Sequence, residues 1–289
     1  MKTTFKALTI IILGFLVACN TKTSEKPHVD NTLKTRAEGL AVDTVFVSTE
    51  AVQPGENTFF YGQTFYTNFK DISGFKIVNG DYFPELEVVV VSKAGTVLLE
   101  NKNLFGGLGQ PQDVSTLHGL LILANPIFSG DTYTARYKLY DTKGDAAYFS
   151  EMDFKVIQDP HIEIEENGLK VREVYLFNKF KDKVFTDGIV GFDESISLDF
   201  QLLEGYKIKN NKIELGMEIH VTDAAGVEIT KSKDALENHS YDVIRDEDVI
   251  QSTLILTKGR LKNPITWQVR LWDKNSDAEL TATATITAK

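Results

Sequence analysis

The 289-residue sequence predicts an all-β protein built from two tandem antiparallel β-sandwiches that arose by internal duplication. Three observations carry this expectation. Four motifs recur in the same order about 130 residues apart. Apolar residues alternate with polar ones along short runs, the period of a strand with one buried face. Turn-forming residues separate those runs, and no long helical periodicity interrupts them.

The duplication is read first. Gly39-Leu40-Ala41-Val42 matches Gly168-Leu169-Lys170-Val171. Gly74-Phe75-Lys76-Ile77 matches Gly205-Tyr206-Lys207-Ile208, and Val91-Ser92-Lys93 matches Val221-Thr222-Asp223. Tyr137-Lys138-Leu139-Tyr140-Asp141 matches Val269-Arg270-Leu271-Trp272-Asp273. The colinear order predicts one domain over residues 39–157 and a second over 167–289, each of an ordinary domain size. Between them, Gln158-Asp159-Pro160-His161 and the acidic stretch to Glu166 read as a short, stiff connector, residues 158–166.

Within each domain the strands follow from alternation. Tyr133, Ala135, Tyr137 and Leu139 are separated by Thr134, Arg136 and Lys138. Ile265, Trp267, Val269 and Leu271 repeat the pattern. The dense apolar run 86–91 predicts a central strand, and its partner alternates through Leu215, Met217, Ile219 and Val221. Asn79-Gly80-Asp81 and Asn210-Asn211 can supply the positive φ of hairpin turns. About seven strands per domain point to a sandwich, and lysines near the expected edges would guard them against pairing. Ser129-Gly130-Asp131-Thr132-Tyr133 resembles the approach to the penultimate strand of immunoglobulin-like domains, where a tyrosine bonds back to the chain. That resemblance implies immunoglobulin-like sandwiches. The second domain has Asn263-Pro264-Ile265 in this place and no hydroxyl.

The N-terminus carries a separate message. Lys2 and Lys6 precede an uncharged apolar stretch, residues 7–18. It is shorter than the roughly 20 residues that span a bilayer and has the form of a signal peptide's apolar region. Leu16-Val17-Ala18-Cys19 closes it and resembles the lipobox of bacterial lipoproteins. The resemblance implies a signal peptide over residues 1–18, cleavage between Ala18 and Cys19, and acylation of Cys19 by diacylglycerol and a further fatty acid such as palmitate. Cys19 is the only cysteine, so no disulfide framework exists. Residues 19–38 are then a lipidated flexible tether, since their polar composition cannot offset the entropy of ordering. In enterobacterial lipoproteins an Asp after the cysteine favours the inner membrane; Asn20 leans towards the outer one. Lipobox, tether and tandem sandwiches together resemble lipoproteins of Bacteroidota.

Composition narrows the function classes. A formal net charge of −10 argues against nucleic acid as a partner, whose affinity comes from cations neutralising phosphates. No nucleophile elbow, phosphate-cradling loop or closely spaced zinc ligand set appears, and no cofactor is expected. The repeated pairs Asp141/Asp145 and Asp273/Asp277 invite calcium, which takes several oxygen ligands, against the plainer reading that Asp is a turn residue. Tyr140 and Trp272 occupy equivalent outward positions and could stack a sugar, or simply pack on a neighbour. Gly106-Gly107-Leu108-Gly109 reads as a turn-rich crossover or a binding loop. The leading expectation is a non-enzymatic, membrane-anchored envelope protein. It would hold the lipid bilayer through Cys19 and meet an envelope protein partner, or serve as a spacer. A carbohydrate or small-ligand binder, and an enzyme whose residues converge only in three dimensions, are the alternatives.

Overall fold

The computed structural model describes residues 33–50, 53–110, 114–237, 239–242 and 248–289. Ala18, Cys19, the signal peptide and the start of the tether lie outside the described residues. Every regular element among those described is a strand. The chain divides into two compact units, one holding Phe59 and all described residues before it together with Thr64–Val156, the other comprising Phe60–Gln63 and Ile157–Lys289.

The strands of the first half are β1 (Lys34–Glu38), β2 (Ala41–Thr49), β3 (Thr58–Phe60), β4 (Thr64–Ser73), β5 (Pro84–Ser92), β6 (Val97–Asn101), β7 (Thr116–Ile122), β8 (Thr132–Asp141) and β9 (Ala147–Ile157). One sheet runs β1-β9-β8-β5-β6, with β3 also on β9; the other runs β2-β4-β7. The second half contributes β10 (Ile162–Asn167), β11 (Lys170–Asn178), β12 (Lys183–Val184), β13 (Ile189–Val190), β14 (Ser195–Glu204), β15 (Ile213–Thr222), β16 (Glu228–Ser232), β17 (Ser240–Tyr241), β18 (Val249–Ile255), β19 (Ile265–Asp273) and β20 (Glu279–Ala288). Its sheets run β10-β20-β19-β15-β16 and β12-β11-β14-β18. Apart from the short added strand β12 the two sets of orders correspond, so the tandem immunoglobulin-like sandwich expected from the repeat is the architecture found.

Alternation places one face of most long strands in the core, β2 being the exception with no fully buried residue. In the first unit Phe69 of β4 meets Tyr137 of β8 and Tyr148 of β9, each at 6.3 Å between ring centroids, and Phe65 meets Phe154 of β9 at 5.6 Å. These contacts join the two sheets. In the second unit Leu198 and Phe200 of β14 share one core with Trp267, Val269 and Leu271 of β19. Fully burying side chains of this size contributes about 1.5–3 kcal/mol each. The repeated glycines also find their reason. Gly74 and Gly205 both adopt positive φ, and a Cβ on either would strike the carbonyl oxygen of Gly39 or Gly168 respectively. The first two repeated motifs are the two sides of one close backbone approach.

Two boundaries shift from the sequence expectation. The stretch 19–38, read as tether throughout, ends in a strand: β1 pairs antiparallel with β9, Lys34 opposite Glu151. Its five side chains are exposed and three are charged, with Lys34 Nζ 3.4 Å from Glu151 and Arg36 over the Phe149 ring at 4.0 Å, so no apolar period announces it. The connector 158–166 likewise contains β10, which pairs with β20 through Ile162 opposite Ala284. Both strands precede the repeated Gly39 or Gly168, so the duplication begins one strand earlier than the motifs revealed. The further strands beyond seven per domain are these and short pieces such as β3, β12, β13 and β17.

The tyrosine corner is present in the first unit. The Tyr133 hydroxyl donates to the Phe128 carbonyl and accepts from its N–H, both at 2.8 Å. In the second unit the Asn263 amide does equivalent work, accepting from the Ala288 N–H at 2.9 Å and donating to the Ala288 carbonyl at 2.8 Å.

Candidate functional site

The repeated aspartates organise one loop end of each sandwich. Asp141 closes β8 and is buried. One carboxylate oxygen accepts the N–H of Lys76 at 2.7 Å and the other that of Lys143 at 2.9 Å. Asp273 closes β19 and is fully buried. It accepts the N–H groups of Lys207 at 2.9 Å and Asn275 at 3.0 Å, and the Ser276 hydroxyl at 2.5 Å. Lys76 and Lys207 are the third residues of the repeated Gly-aromatic-Lys-Ile motif. The second and fourth repeated motifs are therefore the donor and acceptor ends of one hydrogen bond, kept in both copies. It ties the hairpin after β4 or β14 to the last turn of the domain. Hydrogen bonds to a charged acceptor are worth about 1.5–3 kcal/mol each.

A second carboxylate holds the long connection beside it, by different means in each unit. In the first, Glu85 of β5 is buried and accepts the N–H of Phe105 at 2.8 Å and of Gly107 at 2.9 Å. This pins the Gly106-Gly107-Leu108-Gly109 loop, and Gln110 then pairs with Tyr82. In the second, Asp234 in the loop itself accepts the N–H groups of Met217, Leu236 and Glu237 at 3.0–3.2 Å. Lys274 Nζ sits 2.7 Å from Asp234. Burial would raise the Asp234 carboxyl, but Lys274 and the Met217 N–H outweigh it and hold it below the usual carboxylate value. Neither Glu85 nor Asp234 stood out in the sequence; a Glu inside a dense apolar strand is the signal that could have found the first.

The loops so held display apolar side chains. Ile77 is 57% exposed and its repeat equivalent Ile208 is 55% exposed. Leu108 is 68% exposed at the tip of the pinned glycine loop. A large β-branched side chain thus stands in solvent at the same hairpin in both copies.

The calcium candidates divide. Asp145 and Asp277 are exposed, whereas Asp141 and Asp273 are buried with oxygens given to N–H or O–H donors. Among the described residues no three His, Cys, Asp or Glu side chains gather as a metal site. Asp141 and Asp273 thus act as loop latches.

Tyr140 and Trp272 lie half-buried on the outer faces of β8 and β19. The Tyr140 hydroxyl reaches the Lys102 carbonyl at 3.4 Å, and Lys138 Nζ stands 4.8 Å from its ring. Burial, then Glu85 and Glu87, raise the Tyr140 hydroxyl above its ordinary value. Trp272 lies over Gly216, its register partner on β15, where a Cβ would collide with the indole. Arg270 stacks on the indole at 4.8 Å and is tied to Glu279 at 2.8 Å. The Trp272 indole is packed beneath by the strand and beside by a guanidinium, which favours packing over sugar stacking.

No family model matches the chain, and no curated protein matches it. Solved structures from Bacteroidota resemble it at low identity. Dimeric latent PorU from Porphyromonas gingivalis is 13% identical over 86% of this chain and 20% of its own, with a TM-score of 0.27. A DUF3823 family protein from Bacteroides ovatus is 11% identical over 74% of this chain and 95% of its own, with a TM-score of 0.23. A calcium binding mutant of Bacteroides uniformis beta-glucuronidase 2 is 8% identical over 77% of this chain and 26% of its own, with a TM-score of 0.26. The chain therefore spans about a fifth and a quarter of the PorU and glucuronidase chains, and none of their activities is carried over.

Proposed function

We propose that this chain is a non-enzymatic envelope lipoprotein, anchored by acylated Cys19, most simply in the outer membrane, that offers the loop ends of its two sandwiches to a protein partner. One observation carries the interaction role: both copies hold an exposed isoleucine, Ile77 or Ile208, on a hairpin clamped by a buried aspartate. A clamped hairpin has already lost its conformational freedom, so binding does not have to supply that cost. The lipobox Leu16-Val17-Ala18-Cys19 supports the anchor. Three acyl chains on one residue would hold a bilayer far more firmly than a single chain, which binds only marginally.

The test has two arms. Cys19→Ser should shift the protein from the membrane to the soluble fraction or stall its processing; unchanged fractionation and maturation would remove the anchor from the reading. Quantitative cross-linking on intact cells should then recover a defined partner with the parent. Ile77→Asp and Ile208→Asp should each reduce recovery at least about tenfold if the residue is an interface anchor. Recovery unchanged in both variants would remove the loop ends as the contact.

A further inference from the structure

We propose that β18 is a self-pairing edge: two copies of this chain join through an antiparallel β18–β18 ladder centred on Ser252. This goes beyond the loop-end reading and uses a different part of the second sandwich.

The open edges of these sheets are not alike. β1 carries Lys34, Arg36 and Glu38; β10 carries Glu163, Glu165 and Glu166; β16 carries Glu228 and Lys231; β6 carries Glu100. Charges of this kind are how natural sheets prevent edge-to-edge pairing. β18 is Val-Ile-Gln-Ser-Thr-Leu-Ile, with no charged residue, no proline and no glycine. It hydrogen-bonds to β14 on one side, and among the described residues no strand pairs with its other side. The equivalent strand β7 is also short of charge but contains His118 and Gly119, and its residues do not mirror one another.

The β18 sequence is chemically palindromic about Ser252. A two-fold antiparallel pairing centred there sets Gln251 opposite the partner's Thr253, Ile250 opposite the partner's Leu254, and Val249 opposite the partner's Ile255. Each apolar side chain meets an apolar one, each polar side chain a polar one, and no like charges are brought together. Matched cross-strand pairs are what stabilise a ladder. The exposures fit: Ile255 is 54% exposed, whereas Ile250 and Leu254 point inward.

The centre supplies an independent reason. Ser252 is 1% exposed, and its Oγ is buried without a hydrogen-bond partner. A buried orphan hydroxyl costs about 1–3 kcal/mol. At the two-fold axis it stands directly opposite its own copy, at a separation where two serines can bond. On the outer face Lys179 Nζ donates to Thr253 at 2.9 Å, and Asp199 accepts from the Gln251 amide at 2.9 Å, so this cation arrives with its counter-charge. A groove of about 330 Å³ runs beside the edge, lined by Ile229, Thr230, Leu254, Ile255 and Leu261 among others.

The experiment is site-specific disulfide cross-linking of the full chain in membranes. Ser252→Cys should give a disulfide dimer under mild oxidation. Ile255→Cys should not, because the two copies of residue 255 would lie about 20 Å apart along the ladder at roughly 3.4 Å per residue. The parent, whose single cysteine is Cys19, is the control for cross-linking through any unacylated precursor. Adding Ile255→Lys to Ser252→Cys should cut the dimer at least about tenfold, since it puts a charge on the edge and removes an apolar pair. Because Ser252→Cys could disturb the core, sedimentation velocity of the cysteine-unaltered chain in detergent is the second measurement. The parent should show concentration-dependent dimer that Ile255→Lys abolishes. Equal cross-linking at 252 and 255, or a parent monomeric to roughly 100 µM, or a dimer indifferent to Ile255→Lys, would each overturn the proposal.

Discussion

Replacing Asp273 by asparagine tests the latch that organises the second loop end. The side chain keeps its shape but offers one acceptor oxygen instead of two. Asp273 now accepts three bonds, from Lys207 N, Asn275 N and Ser276 Oγ. If the amide oxygen takes the Lys207 and Ser276 side, its NH₂ faces the Asn275 N–H, donor against donor. A buried unsatisfied donor costs about 1–3 kcal/mol, and each of the two remaining bonds falls from charged to neutral strength, a loss of about 1 kcal/mol. The expected destabilisation is at least roughly 3 kcal/mol. Both tryptophans, Trp267 and Trp272, lie in the second unit, so tryptophan fluorescence during urea unfolding of the full chain follows that unit. With a slope of about 1.5 kcal/mol per molar urea, the midpoint should fall by about 2 M. Asp273→Ala, which removes all three bonds, should bring the unit close to its threshold, given total stabilities of about 5–15 kcal/mol. A shift below about 0.5 M for Asp273→Asn would show that water or a rearranged loop replaces the carboxylate, and the latch argument would fall.

Further predictions concern other buried groups. Tyr133→Phe should destabilise the protein by about 1–3 kcal/mol, read as a lower melting midpoint of the full chain, because the Phe128 N–H and carbonyl both lose a partner. Gly216→Ala should cost about 1–3 kcal/mol by overpacking against Trp272; a double-mutant cycle with Trp272→Ala should show most of that cost vanish. Burial raises the Asp199 carboxyl above its ordinary value, against the pull of Ser197 and Gln251. A raised group favours folding most when protonated, so its contribution is lost as pH rises through its folded value. Asp199→Asn should therefore stabilise the protein at neutral pH relative to the parent, and that advantage should shrink to nothing in acid; a constant difference across pH would contradict it. Asp223 behaves oppositely. The Val227 N–H and, after the opposing effect of burial, those of Ala225 and Lys262 hold it below the usual carboxylate value. Its contribution is present above the ordinary carboxylate range and lost as pH falls through its lowered value, so Asp223→Asn should destabilise at neutral pH and converge with the parent in strong acid.

The sequence disclosed what depends on periodicity and repetition. Alternation along β8 and β19 marked their buried faces, and colinear motifs marked the duplication before any strand was paired. It could not disclose features whose energy lies in backbone pairing or long-range hydrogen bonds. β1 has five exposed residues and is held by its ladder to β9, so hydropathy is silent about it. Asp141 and Asp273 were visible as repeated loop residues, and their chemistry suggested a cation. Their real partners are main-chain N–H groups of Lys76 and Lys207, more than sixty residues away. Side-chain type names a possible ligand but cannot say which backbone donors the carboxylate already accepts. The same holds for Trp272, whose outward position was legible while Gly216 beneath it was not.

What the two copies share and what they do not bears on role. The bond between aspartate and Lys76 or Lys207, the close approach of paired glycines, and the exposed isoleucine occur in both. The devices holding the neighbouring connection differ: Glu85 reaches out from β5 to Phe105 and Gly107, while Asp234 reaches back from the loop to Met217. The first presents Leu108 beside Ile77's unit end; the second ties Lys274 to Asp234 and to the Glu237 carbonyl, making that surface polar. One scaffold therefore carries two loop ends of different chemistry on equally fixed hairpins. If both contacted the same partner through isoleucine alone, Ile77→Asp and Ile208→Asp would weaken binding to similar extents. The divergence of the flanking loops argues for unequal effects, with Ile77→Asp the larger because the pinned loop of the first unit also exposes the apolar Leu108. Binding isotherms of the two variants, measured against the partner recovered by cross-linking, decide between these outcomes.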